Sequence, residues 1–101
     1  MAEVIWTKKA FGQFEKEVKF VLEDRGKAAA EIIKDKILHS TSLLEKNKSM
    51  GKKEPLLAHM KNEYRFIVDW SYKVIYRRDK QNIIISRVFH TSRNPKKLKG
   101  I

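Results

Sequence analysis

The spacing of apolar residues changes period part-way along this chain, and that change dictates its class of fold. Phe11, Phe14, Val18, Val21 and Leu22 recur at helical spacing, and so do Ala30, Ile33, Ile37 and Leu44. From Tyr64 onward the repeat is two. It runs through Tyr64-Arg65-Phe66-Ile67-Val68, then Tyr72-Lys73-Val74-Ile75-Tyr76, then Ile83 to Phe89. A helical half followed by a strand half is an α+β domain, with the helices covering one face of an antiparallel sheet.

Punctuation residues set the boundaries. Glu3 to Thr7 is short and β-branched, which makes residues 1–7 an N-terminal strand. Thr7 is placed to cap the first helix through its hydroxyl, and Gly26 suits that helix's end. Residues 8–46 therefore form an antiparallel two-helix hairpin. Residues 47–63, NKSMGKKEPLLAHMKNE, read as a basic loop anchored by Leu56, Leu57 and Met60. Loops of this length inside compact domains are uncommon and often functional. Residues 64–90 form a three-stranded antiparallel sheet, with turns at Trp70-Ser71 and Arg78 to Asn82, and residues 91–101 are a basic tail. The expectation is a single domain over 1–101. Strict alternation puts Ile83, Ile85, Arg87 and Phe89 on one face of the last strand, and Ile84, Ser86, Val88 and His90 on the other. A face carrying Arg65, Lys73 and Arg77 away from the helices would be a basic sheet surface.

Charge narrows the partners. The chain holds 23 Lys and Arg against 12 Asp and Glu, a formal +11. Such a field gathers anions and favours nucleic acid, an acidic protein or an anionic membrane. Seventeen of the cations are lysine, which lacks the planar fork that makes arginine the more specific phosphate ligand. The absence of cysteine excludes a disulfide framework, a thiolate nucleophile and cysteine-ligated zinc. His39, His59 and His90 fall on a helix, a loop and a strand end without metal-ligand spacing, so neither metal nor other cofactor is expected. No Gly-rich phosphate loop or GxSxG turn supports nucleotide or ester hydrolysis. No apolar run approaches a membrane span, and the first residues lack the order of a secretory signal. A cytoplasmic location and no membrane partner are expected.

His90 is the one histidine that stands beside arginines in the sequence. Cutting RNA at its 2′-hydroxyl requires a base, an acid and cations for the crowded phosphorane-like charge. His90, Arg87 and Arg93 are groups of that kind. Arg87 and His90 differ in strand parity, however, and point to opposite faces unless the strand bulges between them. A strand-end histidine with no chemical role fits the same residues.

The stretch MGKKEPLLAHMKNEYRFIVDWSYKVIYRRDKQNIIISRVFHTSRNPKKL resembles the RelE/ParE superfamily, the toxins of bacterial type II toxin–antitoxin pairs. Members run strand, helix hairpin, antiparallel sheet, with a Y-R-x-x-Y-type strand and an I-x-R-V-x-H/D-x-x-R-x-P ending. Those correspond here to Tyr72-Lys73-Val74-Ile75-Tyr76 and to Ile85 through Pro95. The opening VIWTKKAFGQFEKEVKFV is similar to the family's first strand and helix.

The resemblance implies a growth-inhibiting toxin neutralised by a cognate acidic antitoxin. RelE-like members are metal-independent endonucleases that cut mRNA on the ribosome; ParE-like members poison DNA gyrase. The nuclease reading would use His90, Arg87 and Arg93 as catalytic groups. In either reading Lys52, Lys53, Arg65, Lys73, Arg77, Lys96 and Lys97 would be the target- or RNA-binding set. The sequence departs from the nuclease pattern twice. Lys73 stands where many mRNA-cleaving relatives carry an essential arginine, and Asn94-Pro95 replaces the tyrosine expected after the last strand. The ending looks closer to the ParE side, so gyrase poisoning is the expected activity and ribosome-dependent mRNA cleavage the alternative.

Overall fold

The computed structural model describes residues 3–47 and 50–92. Strand β1 (Val4–Trp6) leads into helices α1 (Lys8–Arg25) and α2 (Lys27–Leu43). A two-residue strand β2 (Lys52–Lys53) and a 3-10 turn (Pro55–Leu57) follow. Strands β3 (Tyr64–Asp69), β4 (Tyr72–Asp79) and β5 (Asn82–His90) complete the fold. The class is α+β, as the change of period requires.

The sheet is wider than the three antiparallel strands of the expectation, and it is mixed. Its order is β1-β5-β4-β3-β2. β1 runs parallel to β5, pairing Val4 with Ile83 and Trp6 with Ile85. At the far edge Lys52 and Lys53 lie antiparallel to Phe66 and Arg65. The stretch expected as loop thus donates a strand. Two residues carry no periodicity, so nothing in their pattern marks them. The β4–β5 turn is also tighter than expected: pairing extends to Asp79 and Asn82, and Lys80 takes the left-handed φ of 57° that a two-residue turn demands.

Local chemistry fixes the hairpin. The Thr7 hydroxyl accepts from the Ala10 amide at 3.1 Å and donates to the Ile85 carbonyl at 3.0 Å, so one side chain caps α1 and ties it to β5. Gly26, at φ 95°, closes α1 by donating its amide to the Leu22 carbonyl. Phe14, Val21, Ile33, Ile37 and Leu44 then pack against Val74, Tyr76, Ile83, Ile85 and Val88. Phe11 and Leu22, read as part of the α1 stripe, are exposed, Phe11 edge-on to Trp6.

The opposite face is covered too. Leu57 and Met60, carried by the 3-10 turn and the residues after it, pack on Tyr64, Phe66, Ile75 and Phe89. β5 is therefore apolar on both sides, which is why Ile83-Ile84-Ile85 runs without a polar break. A β-bulge corrects the expected alternation. Tyr76 pairs with Ile85 but Ile75 pairs with Arg87, leaving Ser86 as the extra residue. Past it the parity inverts: Val88 and His90 join Ile83 and Ile85 on the helix-covered face, and Arg87 and Phe89 pass to the turn-covered face. Arg65 pairs with Tyr76 and shares its side of the sheet, so it is separated from Lys73 and Arg77. The basic surface expected from those three holds only Lys73 and Arg77.

Candidate functional site

The turn-covered face carries Lys73, Arg77 and Arg87 in the midst of Tyr64, Phe66 and Phe89. Lys73 is committed within the protein. Its ammonium stands 2.5 Å from the Glu54 carboxylate and 4.2 Å from the centroid of the Phe66 ring. Glu54 is out of solvent altogether. It accepts from the Leu56 amide at 3.2 Å, and its own amide donates to the Tyr64 carbonyl at 2.8 Å. Glu54 thus caps the 3-10 turn and neutralises the cation beneath it. Sequence reasoning passed over this residue; the one local signal was an acid immediately before Pro55-Leu56-Leu57, a helix-start pattern.

Arg87 is only 6% exposed. One guanidinium nitrogen donates to the Ser86 carbonyl at 2.7 Å, while Nε is buried with no partner among the described residues. Burial holds its pKa below the ordinary arginine value, with Tyr64 acting in the opposite sense. Arg77, opposite Tyr64, is half-buried, and neither it nor Lys52 has an ion-pair partner among the described residues.

Around the β2 edge, Glu63 bridges Lys53 and Arg65, each at 3.2 Å. The hydrogen bond from Lys53 is the main cause holding the Glu63 carboxyl below its usual range. Arg65 also donates to the Gly51 carbonyl at 2.9 Å, and the Gly51 amide donates to the Tyr76 hydroxyl at 2.9 Å. Burial raises the Tyr76 phenol above its usual pKa.

His90 lies on the other side of the sheet from Arg87. Its Nδ1 meets the Ser92 hydroxyl at 2.7 Å and accepts from the Ser92 amide, and its ring stands edge-on to Tyr72. Arg93, Lys96 and Lys97 lie outside the described residues. The histidine and the arginine proposed to work together are therefore divided by the sheet, and Lys73 is charge-compensated. No base and free cation converge on one point among the described residues. Those residues contain no group of three or more His, Asp or Glu fit to hold a metal ion. What the face leaves open is the half-buried Phe66 ring with Lys52 and Arg77 at its margins, Tyr64 and Phe89 being buried beneath the turn, an arrangement suited to contact rather than to bond cleavage.

A family model described as "ParE toxin of type II toxin-antitoxin system, parDE" matches residues 4–95. The chain belongs to the ParE toxin family. Its fold agrees with that of a solved structure titled "Chromosomal ParDE TA system from P. aeruginosa", with a TM-score of 0.74 at 18% sequence identity, over 91% of this chain and 98% of that one. No curated protein matches the sequence. Family membership makes this ParE-family chain a toxin of the type II toxin–antitoxin class, within the RelE/ParE superfamily that its strand-end motif resembles. No described helix is long and apolar enough to cross a membrane.

Proposed function

We propose that this chain is the growth-inhibiting half of a toxin–antitoxin pair, held inactive by a cognate acidic antitoxin, and that when released it poisons DNA gyrase. One observation supports the choice of target: among the described residues, the groups that RNA cleavage would need are not assembled. Arg87 and His90 face opposite sides of β5, and Lys73, at the position where cleaving relatives place an arginine, is paired with Glu54. Together with the ParE family match, that arrangement supports a docking toxin over an RNA-cutting one. The antitoxin reading rests on charge as well. A +11 chain attracts an acidic, partly disordered segment that orders on binding.

The experiment is a pulse-label after brief induction of the chain alone in bacteria, following thymidine and methionine incorporation in parallel. Gyrase poisoning stops thymidine incorporation first, and purified protein then raises gyrase cleavage complexes. Earlier loss of methionine incorporation, with cut mRNA, overturns the gyrase reading and installs the nuclease.

A further inference from the structure

The two edges of the sheet are built differently. Proteins guard a sheet edge against pairing with another chain by charge, proline or a bulge, or by keeping it short. At one edge β2 is Lys52-Lys53, a charge on each residue. At the other, β1 is Val4-Ile5-Trp6, with neither charge nor proline, and only its shortness guards it. Its side chains stay partly open: Ile5 is 39% exposed, and Val4 and Trp6 are half-buried. Phe11 stands against Trp6, Leu38 shares a groove of about 380 Å³ with Val4 and Trp6, and both are exposed.

The backbone of β1 also has a free side. The Glu3 carbonyl accepts from the Ile83 amide at 2.8 Å, and the Thr7 amide donates to the Ile85 carbonyl at 3.1 Å, so residues 3 and 7 face β5. In the parallel register Ile5 faces β5 as well, which turns the amides and carbonyls of Val4 and Trp6 outward. No strand takes them up among the described residues. Past Thr7 the chain turns at once into α1, capped by the Thr7 hydroxyl.

These features choose the occupant. A longer strand from another protein would run past Thr7 and find no outward groups to pair with, whereas a second copy of β1 ends where this one ends. Set antiparallel about Ile5, the copy matches both outward residues: Val4 of each chain exchanges amide–carbonyl bonds with Trp6 of the other. Ile5 then falls opposite itself, in the position where facing side chains come closest. Charge fits the same register. Residue 3 lies opposite residue 7, so Glu3 comes beside the start of the other copy's α1, where Lys8 and Lys9 are exposed. None of these three has an ion-pair partner within the chain among the described residues.

We propose that the chain self-associates through β1, two copies joining their five-stranded sheets into one continuous sheet across a two-fold axis at Ile5. The joint is short and each copy carries +11, so the dimer is weak, forming between about 10 µM and 1 mM. It uses the opposite edge of the sheet from Lys52, and it holds whether or not gyrase is the target.

The test follows the full chain, isotope-labelled, across that concentration range in about 0.15 M salt, where the distant charges of the two copies are screened. Sedimentation shows the dimer growing in. Hydrogen exchange at the Val4 and Trp6 amides slows with it, while the Ile5 amide, turned to β5, keeps its rate. Ile5→Lys, at an exposed site, places two ammonium groups on the axis and weakens the dimer about a hundredfold, with the amide spectrum away from β1 retained. Glu3→Lys weakens it about threefold, and adding Lys8→Glu in the same chain restores it. A chain monomeric throughout the range, a dimer indifferent to Ile5→Lys, or exchange at Val4 and Trp6 independent of concentration overturns the proposal. So does a monomeric chain in which the cognate antitoxin alone slows those two amides, because β1 is then the antitoxin's seat. None of these results bears on thymidine or methionine incorporation, so the two readings fail separately.

Discussion

The ammonium of Lys73 and the carboxylate of Glu54 meet at 2.5 Å, with the Glu54 side chain entirely excluded from water and that of Lys73 19% exposed. The pair joins β4 to the residue that starts the 3-10 turn, so it fastens the cover of the sheet to the sheet. Removing the cation strands a buried charge, and Lys73→Ala is expected to cost about 3 kcal/mol, the low end for buried pairs because the lysine keeps some solvent. The double variant Lys73→Met with Glu54→Gln removes both charges and is expected to recover most of that loss. Urea unfolding of the single and double variants gives the comparison. A double variant no more stable than Lys73→Ala would mean that the pair is not what holds the turn.

Arg87 poses the opposite case, a buried cation whose Nε has no partner among the described residues. Replacing such a group by an apolar side chain of similar length is often neutral or stabilising. Arg87→Met is therefore expected to stay within about 1 kcal/mol of the parent. Denaturant midpoints at constant m-value check this. Growth arrest measured alongside separates a contact role from a folding role: lost toxicity at unchanged stability marks Arg87 as a residue the target contact needs.

How much of this was legible beforehand depended on whether the signal was local. Ala30, Ile33, Ile37 and Leu44 needed only a 3.6-residue repeat to be placed in the core, and all four are buried. The faces of β5 beyond Ile85 were misread because one extra residue, Ser86, inverts every later position, and no glycine marks the bulge. Glu54 was missed because an acid among lysines normally reads as solvated, and the lysine it meets is not a neighbour in sequence but on β4. The division between Arg87 and His90, by contrast, was visible in their spacing. The bulge comes before both residues and leaves their relative parity intact.

Gly51 should tolerate no side chain. A Cβ there would collide with the Phe66 carbonyl oxygen and come within 2.8 Å of the Tyr76 hydroxyl. Gly51→Ala is expected to cost about 1–3 kcal/mol, the usual range for overpacking, and to disturb the β2 edge that presents Lys52. Its signature in solution is a lower denaturant midpoint together with shifted amide resonances at Lys52 and Phe66.

Tyr76 makes the same joint sensitive to alkali. Burial raises its phenol pKa in the folded state above the usual value near 10. The folded chain therefore keeps the proton in a range where the unfolded chain has lost it. The associated stability is complete below the unfolded pKa and is lost as pH rises through the folded one. Tyr76→Phe removes this dependence, and it also costs about 1–3 kcal/mol at neutral pH by leaving the buried Gly51 amide without an acceptor. Stability of parent and variant measured from pH 8 to 11 should converge at the alkaline end. Parallel curves would show that the phenol does not titrate in the unfolding transition.

The last prediction concerns how an acidic partner would be held. Lys52 is exposed at the sheet edge and Arg77 half-buried beside Tyr64, and neither spends its charge on an ion pair among the described residues. Lys53, by contrast, shares Glu63 with Arg65. Reversing Lys52 and Arg77 to Glu should thus weaken antitoxin binding far more than reversing Lys53, whose charge is already half-compensated. The expected loss is about ten- to a hundredfold for the Lys52 and Arg77 double reversal, carried partly by the association rate and shrinking as salt is raised. Lys52 is a surface charge and its reversal should leave the circular-dichroism melt close to that of the parent, while the melt of the Arg77 variant, at a half-buried position, is the control for folding. Calorimetry with the cognate antitoxin at two ionic strengths reads both quantities. Equal losses at Lys52, Lys53 and Arg77 would mean that net charge alone attracts the antitoxin. A loss confined to Lys52 and Arg77 would place its acidic segment across the turn-covered face.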